Sequence, residues 1–182
     1  MTKVVLASLR RWIGSRGSSL PSQPDSVWKI ERGVVRTVTW TEAGTPITLG
    51  YWGPGDVVGQ PLSRVSPYQI ECLTSVEASL VPAHLWHQVL DSIVLHGQQV
   101  EELLSILHQE RIPLRLLQIL GWLAQKFGRQ VDQGQLIDLR LTHQEIAGVI
   151  GTTRVTVSRL LKKLEREGRI RRFRQHIVLC HH

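Results

Sequence analysis

Basic side chains recur along one short segment of the sequence, residues 151–170, which reads GTTRVTVSRLLKKLEREGRI. Arg154 and Arg159 lie near its start, and Lys162 follows three residues after Arg159. Guanidinium groups match the two acceptors on the major-groove edge of guanine, and both guanidinium and ammonium groups pair with phosphate. On one helix this pattern is suited to binding a polyanion such as DNA, although a solvated helix face can carry the same charges.

The net charge is concentrated at the same end of the chain. The 182 residues carry a formal charge of +7, of which residues 142–182 contribute +6 from nine Lys or Arg and three Asp or Glu. Residues 1–141 are almost neutral, at +1. A nearly neutral body with a basic end is expected when one small domain meets a polyanion. Hydrophobic residues make up 42% of the chain, which supports a packed core rather than disorder.

Local signals predict two helices joined by a tight corner within residues 142–168. Thr142 and Glu145 have the spacing of a capping box, which begins the first helix. Gly151 supplies the positive φ angle that ends it, and Thr152 or Thr153 caps the second helix. Apolar residues at helical spacing form the inner faces of the two helices: Ile146, Ala147, Ile150, Val157, Leu160, Leu161 and Leu164. Together these positions predict a helix-turn-helix.

The second of these helices is the predicted recognition helix. We expect Arg154, Val155 and Arg159 to face base edges, with the arginines on guanine and the valine against a thymine methyl group. Other polar and basic side chains are expected at phosphates, which position a protein without reading sequence: Thr142, Gln144, Thr153, Thr156, Ser158, Lys162, Arg171, Arg172 and Arg174. Ser158 and Lys162 are equally compatible with a solvated surface.

Alternating residues after Gly168 predict a β-hairpin in the segment RIRRFRQHIVLC. Ile170, Phe173, Ile177 and Leu179 are its candidate core positions, and the arginines of the segment then face outward. A basic hairpin directly after a recognition helix is typical of a winged helix-turn-helix, in which the hairpin contacts the DNA backbone.

The first half of the chain has a different pattern. A Gly/Ser/Pro-rich loop over residues 14–26 follows a short basic stretch. Short β-like runs separated by turn residues then occupy residues 27–81 and predict a small β-sandwich or barrel. Further along, residues 127–141 have the pattern of a turn and a short strand.

A helix predicted over residues 93–111 carries apolar or small residues at alternating spacings of four and three: Ile93, Gly97, Val100, Leu104 and Leu107. Such a seam fits a partner helix, and it fits equally a helix that covers the β-domain. Pro113 predicts that this helix ends near Arg111 and that the next runs from Leu114 to about Lys126. Residues 111–113 are therefore a candidate hinge.

This order of a β-domain, a long helix, a hinge and a winged helix resembles the CRP/FNR superfamily of bacterial transcription regulators. The segment GVVRTVTWTEAGTPITLGYWGPGDVVGQ is similar to the β-roll of that family. The segment IDLRLTHQEIAGVIGTTRVTVSRLL is similar to the DNA-binding region of its cyanobacterial nitrogen-control branch, the NtcA type. The resemblance implies an α+β fold: a shortened β-roll of the cyclic-nucleotide-binding jelly-roll type over residues 1–92, a dimerisation helix and hinge over 93–112, and a winged helix-turn-helix over 113–182.

The same resemblance implies a homodimer, joined by the seam residues, that lays one recognition helix on each half of a palindromic DNA site. Val155 stands where cyclic-AMP-type members have Glu, as it does in the NtcA branch. The resemblance therefore favours a half-site closer to GTA than to GTGA.

The expected effector site departs from the family pattern. Gln60 stands where cyclic-nucleotide-binding members have Glu, and Ser66 and Pro67 stand where they have Arg and Ser. Without that Arg a phosphate has little to offset its desolvation, so we expect function without cyclic AMP. The Arg that holds 2-oxoglutarate in NtcA-type members is also missing, with Arg64 as the nearest substitute.

The β-domain moreover begins late, and compared with the family its opening strands look absent or replaced by the segment MTKVVLASLRRWIGSRG. We therefore expect a small-molecule function that is lost or altered, with no cofactor and no metal, although 2-oxoglutarate or another small ligand stays open.

Other functional classes have weaker support. The chain has no phosphate-binding Gly-rich loop, no HExxH motif and no nucleophile elbow, so an enzyme is not expected. Two distant cysteines, no signal peptide and no long apolar run predict a cytoplasmic protein without a membrane segment. The alternative is a protein-interaction module. In that case the β-domain binds a partner such as RNA polymerase, and the winged helix only localises it on DNA. The six tryptophans of the chain give material for such a surface.

Overall fold

The computed structural model describes residues 9–173 and 176–180, so Arg174 lies outside the described residues. The chain divides into two compact units, Met1–Glu101 and Glu102–His182. The division falls inside one long helix, and each unit has buried apolar residues of its own.

The described part of the first unit contains two four-stranded antiparallel sheets. One sheet has the strand order β1-β8-β3-β6 and the other the order β2-β7-β4-β5. The strands are β1 (Arg11–Gly14), β2 (Ser19–Leu20), β3 (Ser26–Arg32), β4 (Val35–Trp40), β5 (Pro46–Trp52), β6 (Val57–Val58), β7 (Gln69–Cys72) and β8 (Val76–Pro82). Short 3-10 helices follow β6 and β8, at Gln60–Leu62 and Ala83–Val89.

Both sheets contribute side chains to one apolar cluster, so they form the two layers of a β-roll. Trp28 and Ile30 of β3 belong to this cluster together with Val35 of β4 and Trp52 of β5. The indole N–H of Trp52 donates a hydrogen bond to Thr37 Oγ1 at 3.1 Å. This bond satisfies the polar atom of a ring that is only 2% exposed.

Two short strands, β1 and β2, come first among the described residues, and β1 lies within the segment MTKVVLASLRRWIGSRG that stands at the expected opening strands. β1 pairs with β8, with Arg11 opposite Ser79, and β2 pairs with β7, with Ser19 opposite Glu71. These strands have four and two residues, too few for alternation to be visible in the sequence. Pairing with strands distant in the chain defines them, because strand preference depends strongly on tertiary context.

The long helix α1 spans Leu90–Leu107, and its first half packs against the β-roll. The His96 ring stacks on the Trp52 indole, with ring centroids 3.9 Å apart and planes 6° from parallel. His96 Nδ1 donates to the Val57 carbonyl oxygen at 2.9 Å, and Gln99 Nε2 donates to Asp56 Oδ1 at 3.0 Å. The first half of α1 is therefore part of the β unit.

Another face of α1 is apolar and exposed to solvent. Ile93, the first residue of the predicted seam, is half-buried and packs against a cluster of valines: Val27, Val57, Val81 and Val89. The apolar side chains exposed on this face are Leu90, Val94, Val100 and Leu104, which are 39–58% exposed. One side of α1 therefore covers the β-roll, and the fit of a partner helix against the exposed apolar residues of α1 stays a prediction.

The second unit combines helices with one four-stranded sheet in its described residues. Its elements are α2 (Ile112–Phe127), β9 (Gly128–Val131), β10 (Gly134–Ile137), α3 (His143–Ile150), α4 (Arg154–Arg166), β11 (Ile170–Phe173) and β12 (His176–Cys180). The sheet order is β11-β12-β10-β9. Residues 128–137 form a hairpin rather than the single strand predicted, because a turn at residues 132–133 reverses the chain between two four-residue strands. Gly134, the first residue of β10, has a φ of 145° that favours glycine.

The break between α1 and α2 spans residues 108–111, slightly before the predicted hinge at 111–113. Pro113 lies in the first turn of α2, where its missing N–H has no helical partner to lose. The amides of Leu114 and Arg115 donate to the Arg111 carbonyl oxygen, so the helix begins at Ile112 rather than at Leu114. Its buried residues follow helical spacing: Leu116, Ile119, Leu120, Leu123 and Ala124.

No helix within the described residues is long and apolar enough to cross a membrane. The described residues also contain no group of three or more His, Cys, Asp or Glu side chains arranged to hold a metal ion.

Replacing Asp56 with alanine is expected to lower the free energy of unfolding by about 2–3 kcal/mol, because a buried carboxylate accepts hydrogen bonds that are then lost. Asp56 is 7% exposed and accepts from the Gly53 amide at 2.8 Å as well as from Gln99. Urea unfolding followed by circular dichroism measures the change. Glu42→Ala, at an exposed turn, is the control and should change stability by less than about 0.5 kcal/mol. Equal losses in both variants would contradict this role of Asp56.

Candidate nucleic-acid interface

The first helix of the corner, α3, begins with the predicted capping box. The Glu145 amide donates to Thr142 Oγ1 at 3.1 Å, and the Thr142 amide donates to Glu145 Oε2 at 2.6 Å. Gly151 ends the helix in the left-handed region, with φ 66°, and its amide donates to the Ala147 carbonyl oxygen. Both predicted boundaries of α3 are confirmed.

The second helix, α4, is capped by Thr153, which resolves the choice between Thr152 and Thr153. The Thr156 amide donates to Thr153 Oγ1 at 3.2 Å. The Thr152 amide instead donates to the Ala147 carbonyl oxygen at 3.1 Å, within the turn that ends α3. The corner is therefore three residues, 151–153, with its backbone hydrogen bonds directed to α3 and α4.

An apolar stripe holds α4 against the rest of the unit. Its four buried residues are those predicted from spacing: Val157, Leu160, Leu161 and Leu164. On the facing helix α3 the buried residues are Ile146, Ala147, Val149 and Ile150. Ala147 is small enough to let the two helices cross closely. Because the stripe is buried, the opposite side of α4 must face solvent.

A single guanidinium braces the corner from α2. Arg115 Nη1 donates to the Ile150 carbonyl oxygen at 2.7 Å, at the C-terminal end of α3. Its Nε and Nη2 donate to the Gln109 carbonyl oxygen at 2.9 and 2.7 Å, in the break before α2. The cation also lies at the negative end of the α3 dipole. Sequence reasoning missed Arg115, because no spacing links residues 109, 115 and 150.

The exposed side of α4 carries the predicted base-contacting residues. Arg154, Val155 and Arg159 are all exposed, and the Val155 side chain is 77% accessible to solvent. Lys162 and Arg166 continue the same face at spacings of three and four residues. Among the described residues, no acidic group pairs with any of these four cations. Concentrated positive charge without internal partners attracts an external anion.

His143 lies at the start of α3 beside this face and was also missed from the sequence. Its Nδ1 is 2.7 Å from Ser158 Oγ, and the Ser158 hydroxyl donates to the Arg154 carbonyl oxygen at 2.9 Å. Burial lowers the pKa of His143 below its ordinary value, and the positive charges of Arg172 and Arg154 lower it further. Ser158 is therefore part of a hydrogen-bonded chain rather than a freely solvated residue.

The wing is joined to α4 by an ion pair. Arg172 of β11 donates from Nε and Nη2 to Glu165 Oε2, at 2.9 and 2.6 Å. The hydrogen bond from Arg172 is the main reason that the pKa of Glu165 is lowered. Arg171 is exposed, and the predicted Arg174 lies outside the described residues. One wing arginine thus holds the hairpin against the helix.

Phe173 is not a core residue of the wing, which corrects the prediction from alternation. Along β11, Ile170 is fully buried and Arg172 reaches Glu165, so these two residues face α4. Phe173 points to the other side of the sheet, where it is 66% exposed. The buried residue of β12 is Val178, opposite Leu136 of β10, rather than Ile177 or Leu179.

The residues of the expected effector site lie between β6 and β7. Gln60 Nε2 donates to the Ser63 carbonyl oxygen at 3.1 Å, so this amide is used within the loop. Arg64, Ser66 and Pro67 are exposed. Burial raises the pKa of the neighbouring Tyr68 above its ordinary value. Arg64, the one Lys or Arg between Gln60 and Tyr68 in this described loop, is exposed to solvent.

A β-roll followed by a winged helix-turn-helix with an exposed basic recognition helix defines a DNA-binding transcription regulator, and comparison with known proteins agrees. A family profile described as a Crp-like helix-turn-helix domain matches residues 114–182. Regulatory protein CysR from Synechococcus elongatus is 46% identical over 168 residues, which cover 90% of this chain and 80% of CysR. A global nitrogen regulator from Synechocystis is 34% identical, over 81% of this chain and 73% of its own length.

Solved structures agree on the fold. A CRP-family transcriptional regulator from Thermus thermophilus superposes with a TM-score of 0.80 at 23% identity, covering 95% of this chain and 92% of that one. The chain belongs to the CRP/FNR family of transcription regulators. The resemblance stated from the sequence and the α+β fold class are both confirmed, and the relatives named here are regulators rather than enzymes.

His143→Gln is expected to improve stability at acid pH, because glutamine does not gain a charge there. The folded pKa of His143 lies below the unfolded value of about 6.5, so the unfolded chain takes up the proton first as pH falls. Wild-type stability should therefore decrease below pH ~6.5 relative to the variant, while the difference stays constant above it. Urea unfolding at pH ~7.5 and ~5.5 measures the difference. If the difference in stability between wild type and the variant were the same at both pH values, it would contradict a lowered pKa of His143.

Proposed function

We propose that this chain binds a palindromic DNA site as a homodimer and regulates transcription there without requiring cyclic AMP. The observation that carries the proposal is the exposed face of α4, whose cations have no acidic partner among the described residues. In this proposal residues 1–92 are a sensor-like domain, 93–112 the dimerisation helix and hinge, and 113–182 the DNA-binding domain. The protein acts in the cytoplasm, where the chromosome lies.

Arg154, Val155 and Arg159 are the proposed base contacts. They occupy the first two turns of α4, the part of a recognition helix that enters the major groove. An arginine bonded to guanine O6 and N7 supplies about 1–3 kcal/mol of discrimination. Val155 offers no hydrogen bond but suits a thymine methyl group, which supports a GTA-type half-site.

Nine residues are proposed to contact phosphates: Thr142, Gln144, Thr153, Thr156, Ser158, Lys162, Arg171, Arg172 and Arg174. Gln144, Lys162 and Arg171 are exposed and available. Thr142 accepts a hydrogen bond as a helix cap, which leaves its O–H to donate to phosphate. Arg172 uses Nε and Nη2 on Glu165, and Nη1 remains for the DNA backbone. Ser158 is the weakest member, because its hydroxyl donates within α4.

The dimer interface is proposed along the exposed apolar face of α1. Gly97, Val100, Leu104 and Leu107 stay in the interface. Leu90 joins it seven residues before Gly97 and Val94 flanks it, whereas Ile93 packs on the β-roll. A side chain added at Gly97 would meet no atom within 4 Å of the same chain, so space for a second helix is open there. Two recognition helices related by a twofold axis then meet half-sites ~34 Å apart.

The sensor-like domain is proposed to act without cyclic AMP or to have a changed ligand. Support comes from the exposed Arg64 and from the use of Gln60 within its own loop. RNA polymerase is the expected partner of the DNA-bound form. The protein-interaction alternative is less favoured, because two of the six tryptophans, Trp28 and Trp52, are buried and the other four are half-buried.

A mobility shift on a GTA-N8-TAC palindrome tests the DNA proposal. At about 150 mM salt we expect wild type to bind this probe at least about tenfold more tightly than scrambled DNA or a GTGA-type palindrome. Val155→Glu should move the preference toward the GTGA-type probe, because a carboxylate accepts from cytosine N4 and a valine does not. Selection from random DNA that returned a GTGA-type half-site for wild type would refute the proposed readout.

The same assay with added cyclic AMP or 2-oxoglutarate tests the effector proposal. If neither compound changes specific DNA binding, the result supports a regulator that binds its site without a small-molecule effector. A shift that requires one of them would overturn the interpretation of Gln60 and Pro67.

Leu104→Glu is expected to convert the protein to a monomer, because it introduces a charge into the proposed apolar interface. Leu104 is 53% exposed in the chain, so the fold itself should tolerate the change. Sedimentation velocity measures the mass, and Leu104→Glu with Leu107→Glu provides a stronger variant. Gln98→Glu places the same charge on an exposed position of α1 outside the seam and should stay dimeric. A native mass in the double variant would exclude this interface.

A further inference from the structure

The DNA-binding unit has a second surface feature, an apolar groove between the start of α2 and the end of α4. Its volume is about 470 Å³. The apolar lining consists of Pro113, Leu114, Leu117, Leu160 and Leu164. Leu160 and Leu164 are buried, with exposures of 8% and 6%, whereas Leu114 at the edge of the groove is 41% exposed. An accessible apolar surface rimmed by charged residues is typical of an interaction site.

The rim of this groove is positively charged. It contains Arg111, Lys163, Glu167 and Arg169. Lys163 and Glu167 pair with each other at 3.7 Å and so neutralise one another in part. Neither remaining guanidinium has an ion-pair partner within the part of the chain that the structure describes. Two arginines are thus available to bind carboxylates bidentately.

The groove and the proposed DNA face occupy different sides of α4. With about 100° of rotation per residue, the groove residues Leu160, Lys163, Leu164 and Glu167 centre roughly 120° away from the face of Val155, Arg159, Lys162 and Arg166. DNA on one side therefore leaves the other side open. The groove is present in the fold whether or not α4 binds DNA.

We propose that this groove binds an acidic amphipathic α-helix of a protein partner. Apolar side chains at i, i+3 or i+4, and i+7 fill the leucine floor, and Asp or Glu residues beside them pair with Arg111 and Arg169. A nucleic acid does not fit, because its phosphates find no donor on the apolar floor. A small amphiphile fits less well, because the exposed edge at Leu114 would leave much of it in water. A partner held here lies beside the bound DNA.

Fluorescence anisotropy with the full chain tests this proposal. The probe is a labelled synthetic helix of about 16 residues, with leucine at every third or fourth position and glutamate at most others. We expect it to bind wild type at least about tenfold more tightly than a scrambled peptide or a version with lysine in place of glutamate. Failure of wild type to discriminate between these peptides would overturn the proposal.

Two groove variants and one matched control locate the binding. Leu114→Glu and Arg111→Glu, both at exposed positions, should weaken binding of the acidic peptide at least about tenfold. Leu114→Glu, which lies outside the proposed hinge, should leave the DNA mobility shift unchanged. Lys162→Glu places the same charge on the DNA face, so it should weaken the DNA shift and leave peptide binding intact. Equal loss of peptide binding in all three variants would refute the groove as the site.

A competition experiment distinguishes an acidic helix of a protein partner from a free fatty acid as the ligand of the groove. Dodecanoate added below its micelle concentration should displace little peptide. Saturable displacement of the peptide, with direct dodecanoate binding that is lost in Leu114→Glu, would replace the protein partner with a fatty-acid ligand and overturn the proposal.

Discussion

Burial of one apolar stripe on α4 is the constraint on which the exposed basic surface depends. Val157, Leu160, Leu161 and Leu164 are at most 8% exposed, and each such side chain contributes about 1.5–3 kcal/mol when fully buried. This gain offsets the mutual repulsion of the cations on the opposite side, which have no internal partners among the described residues. Rotation of the helix by one residue would expose leucines and bury arginines. The charged face therefore cannot turn inward.

Two arginines then connect the helix corner to its surroundings. Arg115 joins the end of α3 to the break after α1, and Arg172 joins the wing to Glu165. Each guanidinium satisfies carbonyl or carboxylate oxygens on separate elements, so moving one element breaks charge-assisted hydrogen bonds to another. The corner, the wing and the segment before α2 are consequently held as one body within the second unit, and the cations used for bracing are distinct from those left available on α4.

The sequence was most informative where structure is decided locally. The Thr142 capping box and the left-handed Gly151 depend on neighbouring residues, and both were predicted correctly. Features that depend on distant pairing were missed or misassigned. β1 and β2 form by pairing with β8 and β7, which are distant in the sequence. Whether Phe173 is buried depends on which face of the wing packs against α4. Arg115 donates hydrogen bonds to residues six and 35 positions away. Ile93 shows the same limit, since heptad spacing does not reveal which helix face meets the β-roll.

The exposure of Val155 has a consequence for how this molecule can change over evolutionary time. With 77% of its side chain in solvent, the residue has almost no packing role, so most substitutions there should leave the fold intact. A lineage can therefore sample charged, polar and small residues in the first turn of α4 without first acquiring a compensating mutation. Paralogues that arise by gene duplication can diverge at this position while they inherit the same scaffold unchanged.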